Sequence, residues 1–184
     1  MFNERKVAQM AAYLLDRGES CMSHLKLMKL LYLADRKSME LYGFPISGDC
    51  IVAMPHGPVL SMTLNLIDGD VESCENGWES WISDKSNHKV TLKRPVSPDA
   101  LDELSAADLD ALESVWNTFG HMSQWAIRDY THQHCPEWQD PNGSSLPIPY
   151  EEVFRALGKS NETAIELGAR IESERSLDRL FARL

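Results

Sequence analysis

Leu25 to Tyr42 reads LKLMKLLYLADRKSMELY and continues as GFPISGDCIVAMPHGPV up to Val59. In a helix, one face of the first part carries Leu27, Leu30, Leu31, Ala34 and Leu41. A second face carries Leu25, Met28, Tyr32, Met39 and Tyr42, with Asp35 in its midst. Lys26, Lys29, Arg36, Lys37 and Glu40 form the remaining, wet strip. A helix apolar over most of its circumference has neighbours on several sides, so this segment is read as the central helix of a domain. Ser23 is its candidate N-cap and Gly43, just before Pro45, its candidate stop. At 1.5 Å per residue it is about 27 Å long.

Upstream, Glu4 to Arg17 reads as a first helix with Val7, Met10, Ala11, Leu14 and Leu15 on one side, ended by Gly18. The short GESCMS connection makes the two helices near-antiparallel neighbours. Downstream, Pro45, Gly48, Pro55, Gly57 and Pro58 punctuate a loop around the extended segment Ile51 to Met54. Pro58 suits the first position of the next helix, Val59 to Asp68. Trp81 to Ser83 and Lys89 to Lys93 read as a hairpin with DKSNH as its turn.

SAAD at Ser105 to Asp108 is a capping signature opening a helix with Leu109, Leu112, Val115, Trp116 and Phe119 inward, closed by Gly120. Ser123 caps a further helix to about His134, with Trp125, Ala126, Tyr130 and Ile127 as its inward candidates. Pro149 opens a short helix to Leu157, and Ser160 or Asn161 caps a last one to near Leu184. The expected fold is mainly α (α+β): a single-domain helical bundle around a buried central helix, with a small β-hairpin inserted. Residues 1–158 form the domain and 159–184 an amphipathic C-terminal helix. Ile165, Leu167, Ile171, Leu177, Leu180, Phe181 and Leu184 on that helix would dock on the domain, pair with a second copy as a homodimer, or receive a partner.

The chain has 184 residues and a formal net charge of −10. Ser38 to Asp84 contains eight acids and no Lys or Arg, and Pro95 to Ile127 six acids and again no base. Nucleic-acid binding needs clustered cations and is disfavoured. An acidic surface serves solubility or steers a basic protein partner. No apolar run is long enough to span a membrane, and the charged, amphipathic start lacks the features of a signal peptide, so a cytoplasmic location is expected. Four widely spaced cysteines without a CxxC pair fit reduced thiols.

Candidates for chemistry are few. His132 and Cys135 in HQHC share a helical face, with His134 between them and His121 upstream, but no second pair completes a metal set. Cys50 with His56, or Cys135 with His132, would need a polarising environment that nothing nearby supplies. No glycine-rich phosphate loop occurs. No catalytic residue, metal or cofactor is therefore assigned. Asp35 on an apolar face needs a partner, either a backbone turn or His56 or His132, and is read as a structural tether. Gly57 between His56 and Pro58 marks a fixed bend and a left-handed glycine: a rigid turn, or a preformed edge on which a partner docks.

Four blocks together, KLMKLLYLADRKSMELYGFPISGD, AMPHGPV, LSAADLDALESVWNTFG and the TH…PEW spacing, resemble the Panacea domain of SocA-like antitoxins, also known as GepA-like phage-associated proteins. The resemblance runs from about Val7 to Leu157. It implies a bacterial or prophage-encoded, mainly helical antitoxin that neutralises a toxin encoded beside it by direct protein–protein contact. It also implies a second partner class, since some members are described as adaptors that deliver the toxin to a cytoplasmic protease. The matching motif residues are Lys26, Lys29, Leu30, Tyr32 and Asp35, then His56, Gly57, Pro58 and Val59, then His132 and Trp138. They build the fold or touch the toxin, and most are expected to build the fold. Of the central helix, the Lys26/Lys29/Arg36/Lys37 strip and the turn at His56 are the parts expected to be reachable. Determinants of toxin choice are expected in the acidic Asp68 to Asp84 stretch, the hairpin and the C-terminal helix.

Overall fold

The computed structural model describes residues 2–181. Leu184 lies outside them, as do the side chains of Leu180 and Phe181, so that end of the apolar stripe is outside the described residues. Helix α1 (Glu4–Arg17) starts at Asn3, whose side chain accepts from the Lys6 amide, and ends at Gly18. It leads through Glu19 and Ser20, both at positive φ, into strand β1 (Cys21–Ser23) and helix α2 (His24–Tyr42). Every residue of α2 from Leu27 to Asp35 is buried, so this helix is enclosed around its whole circumference. α1 packs on α2, and so do α4 (Ala106–Phe119), α5 (Gln124–His134) and the short α6 (Tyr150–Ala156). Gly43 at φ +81 closes α2, its N–H donating to the Met39 carbonyl.

After α2, strands β2 (Ile51–Met54) and β3 (Gly57–Leu60) form a hairpin turned by Pro55 and His56, with Met54 opposite Gly57 and Ile51 opposite Leu60. Pro58 therefore lies in a strand, opposite Ala53, and does not open the next helix; α3 runs Ser61–Asp68. The cap that α3 lacks locally comes from Asp49. Its carboxylate accepts from the amides of Met62 (3.0 Å) and Thr63 (2.8 Å) and from the Thr63 hydroxyl. A negative group at a helix start satisfies free amides and complements the helix dipole. Strand β5 (Leu146–Pro147) adds to β2, giving the order β3-β2-β5.

Strand β4 (Lys89–Thr91) pairs antiparallel with β1, Met22 facing Val90. The GESCMS segment is thus strand-forming and more than a linker, because β4 needs an edge and the end of α1 supplies one. The expected pairing of 81–83 with 89–93 is present as the antiparallel Ile82–Leu92 and Ser86–Lys89 bridges with flanking hydrogen bonds around the DKSNH turn, while β4 itself pairs with β1. Helix α4 carries the full capping box between Ser105 and Asp108. In α5 it is Ile127 and Thr131 that are buried; Trp125 and Ala126 are exposed, against the expected inward set. Leu41 is also exposed, in the last turn of α2.

Helix α7 (Asn161–Phe181) packs on α6 through Ala164 and Ile171, with Gly168 against the Glu151 backbone. Arg175 donates to Cys50 Sγ at 2.7 Å, and Arg170 stacks on Phe44. Ile165 and Leu177 face outward. Among the described residues there are seven α-helices and no helix long and apolar enough to cross a membrane.

Candidate functional site

On α2, residues 29, 32 and 36 fall three and four apart and so share one face. That face is the seat of a polar cluster. Lys29, expected on the wet strip, is completely buried. The cause is the β2–β3 hairpin laid over it: Lys29 Nζ donates to the Pro58 carbonyl at 2.6 Å. Burial pushes this amine down to about 7, because an ammonium without a carboxylate beside it is costly away from water.

Gly57 makes that approach possible. At φ +94 it holds a conformation rarely open to other residues. A Cβ there would lie 2.8 Å from Thr131 Oγ1, 3.0 Å from Lys29 Nζ and 3.2 Å from His132 Nε2. The turn between the two strands therefore sits directly on α2 and the end of α5. His132 stacks flat on Trp138, ring centroids 4.0 Å apart, and Trp138 Nε1 donates to the Met54 carbonyl at 3.0 Å. His132 Nε2 is buried with no partner. Burial, with Lys29 and Arg128 nearby, favours its neutral form.

One turn further along α2, Tyr32 and Arg36 converge on a residue that sequence reasoning missed. Glu137 Oε1 accepts from the Tyr32 hydroxyl at 2.5 Å and from Arg36 Nε at 2.7 Å. The Glu137 side chain is fully enclosed. Burial works against the Arg36 charge, and the Glu137 carboxylate more than offsets it. Cys135 lies close by, its thiol pushed up to about 11 by burial and the nearby Glu137 charge. The only signal for Glu137 was its place between Pro136 and Trp138 in the PEW block.

Asp35 is a tether to a backbone turn. Its carboxylate accepts from the amides of Ile46 and Ser47, both at 2.9 Å, and from the Ser47 hydroxyl. Burial raises it to about 7 against the opposing effect of those hydrogen bonds. Neither His56 nor His132 reaches it. Lys26 is half-buried, donating to the Gly120 carbonyl at 2.6 Å beside the Trp116 ring. The wet strip thus shrinks to Lys26, Arg36 and Lys37, all partly buried, and the exposed Glu40.

The structure accordingly brings Lys29, Tyr32, Gly57, Pro58, His132 and Trp138 to one junction, with Asp35 anchoring the loop that leads to it. Among the motif residues with chemically active side chains, His56 alone is exposed. Cys50 engages Arg175 in place of the His56 considered from sequence, His132 stacks on Trp138, and His134 packs on Tyr130. Among the described residues no three His, Cys, Asp or Glu side chains converge as metal ligands would. The arrangement holds three sequence blocks together by hydrogen bonds inside the protein.

A family model described as "Antitoxin SocA-like, Panacea domain" matches residues 27–139. The match begins in α2 and ends one residue past Trp138, so it spans the junction and omits α1, α6 and α7. It is narrower at both ends than the resemblance traced in the sequence. Comparisons with curated proteins and with solved structures found no match.

Proposed function

The chain belongs to the family of SocA-like antitoxins with a Panacea domain, and on that premise we propose that it neutralises a toxin encoded by the neighbouring reading frame through direct protein–protein contact. The family match over the whole junction is the observation that carries this reading. It is supported by a junction in which Lys29, Tyr32, Asp35 and Arg36 are spent on internal contacts, which suits a protein that binds rather than one that turns over a substrate. In this reading Lys29, Tyr32, Asp35, Gly57, Pro58, His132 and Trp138 build the fold, while His56 and Lys26 stand where a partner reaches them. The family unit would end near residue 158, with α7 an appended element, and the protein, bacterial or prophage-encoded, would act in the cytoplasm.

Expressing the neighbouring reading frame with and without this chain tests the proposal. The neighbour is expected to stop growth alone and to be harmless when both are made. A neighbour that is harmless alone, or still toxic in company, refutes it.

Ile165 and Leu177, outward on α7, favour a second reading in which this helix receives a cytoplasmic protease or a second copy. In that case the toxin would be degraded only when this chain is present. Removing α7 would stabilise the toxin in a pulse-chase experiment without abolishing its capture. An unchanged toxin half-life after removal of α7 would exclude it.

A further inference from the structure

The exposed His56 opens onto a cleft of about 410 Å3 where the start of α2, the β2–β3 turn, the loop before β4 and the start of α5 meet. Its apolar wall is Leu25 and Trp125, the latter 51% exposed although large and aromatic. Its polar wall is Ser23 with the imidazoles of His24, His56 and His88. No carboxylate lines it, in a chain of net charge −10. The cleft beside α3, by contrast, is lined by Asp68, Asp70, Glu72, Glu79 and Asp84.

Two further features give this cleft a sign. The 19-residue α2 begins in its wall with no acidic residue in the first turn and no side-chain cap, so only the His88 carbonyl, accepting from the His24 amide at 3.0 Å, offsets the positive end of the helix dipole there. Ser23 Oγ, at that same N-cap position, is out of water and without a partner. The Arg128 guanidinium lies 5.0 Å from the centre of the Trp125 ring but is paired with the Asp129 carboxylate at 2.6 Å, so it adds no net charge beside the apolar wall. Imidazoles, a free hydroxyl and a helix start all suit an anion, while Leu25 and Trp125 suit an apolar side chain next to it.

We propose that this cleft is the toxin-docking surface, and that its occupant is an Asp or Glu of the toxin flanked by a bulky apolar residue. The carboxylate meets Ser23 and the α2 start within the ring of imidazoles; the apolar neighbour packs on Trp125. The proposal rests on the antitoxin reading above, to which it adds the site and the chemistry of the contact. Exposed aromatic residues of this kind are where binding energy concentrates in protein interfaces.

The test uses the full chain and the purified product of the neighbouring reading frame, with dissociation constants measured for wild type, Trp125→Glu, Trp125→Lys, His56→Ala and, as a remote exposed control, Leu41→Glu. Urea midpoints equal to wild type establish that each variant is folded. Trp125→Glu is expected to weaken binding about a hundredfold and Trp125→Lys or His56→Ala about tenfold, with Leu41→Glu unchanged. Trp125→Glu and His56→Ala both binding as wild type would overturn the cleft and leave the antitoxin reading intact. Trp125→Lys as damaging as Trp125→Glu would overturn the acidic occupant. A wild-type chain that does not bind at all would instead overturn the antitoxin reading itself.

Discussion

Lys29 is the residue whose environment departs furthest from what its type suggests. Its amine titrates near 7 in the folded protein, well below the usual lysine range. Between that value and the unfolded one the unfolded chain binds more protons than the native state, so stability rises with pH across this window. The slope from this one group approaches about 1.4 kcal/mol per pH unit at most. Lys29→Met removes the titration, and urea denaturation at pH 7, 8 and 9 is expected to show the wild-type rise missing in the variant. Equal slopes in the two proteins would mean that the buried amine is not neutralised. Gly57→Ala acts at the same contact from the other side. It imposes both an unfavourable φ and a methyl group against Thr131, Lys29 and His132. A loss of about 1–3 kcal/mol is expected in equilibrium unfolding.

At the scale of elements, carboxylates organise the irregular segments. Asp35 pins the loop after α2, Asp49 caps α3 from a distance, and Glu4 accepts from the Ser73 hydroxyl and the Cys74 and Trp78 amides to hold the loop after α3. Asp35→Ala would strand two buried amides and a hydroxyl, and about 2–4 kcal/mol of stability is expected to go with them. A chemical-denaturation midpoint within error of wild type would contradict this. α2, its stop at Gly43, the capping box of α4 and the left-handed Gly57 were all legible in the sequence, because caps, glycines and apolar periodicity act over a few neighbouring residues. Lys29 was not, since nothing local separates it from Lys26. Its burial is decided by a strand nearly thirty residues downstream. Glu137 escaped notice for the same reason, its partners lying on α2. Trp125 was read as core from its type alone, whereas a helix whose stripe is Ile127 and Thr131 turns position 125 to water. The β1–β4 pairing was hidden because three-residue strands carry too little pattern to show their register.

Across the whole molecule, the acids and the apolar core divide the work. Part of the negative charge is turned inward as loop anchors and caps, and the rest lies on the surface, leaving the His56 cleft without any. α7 clasps the far side of the domain through Ala164, Ile171 and the Arg175–Cys50 contact. Truncation after Ser160 is therefore expected to lower the melting temperature by several degrees, roughly what a loss of one or two kcal/mol produces. The central claim is that neutralisation is a contact between two folded proteins. Isothermal titration of the purified neighbour-encoded protein into this chain tests it most directly. The expected result is a saturable, stoichiometric complex with a dissociation constant below about 1 µM. Growth rescue in cells accompanied by no binding between the purified proteins would contradict it.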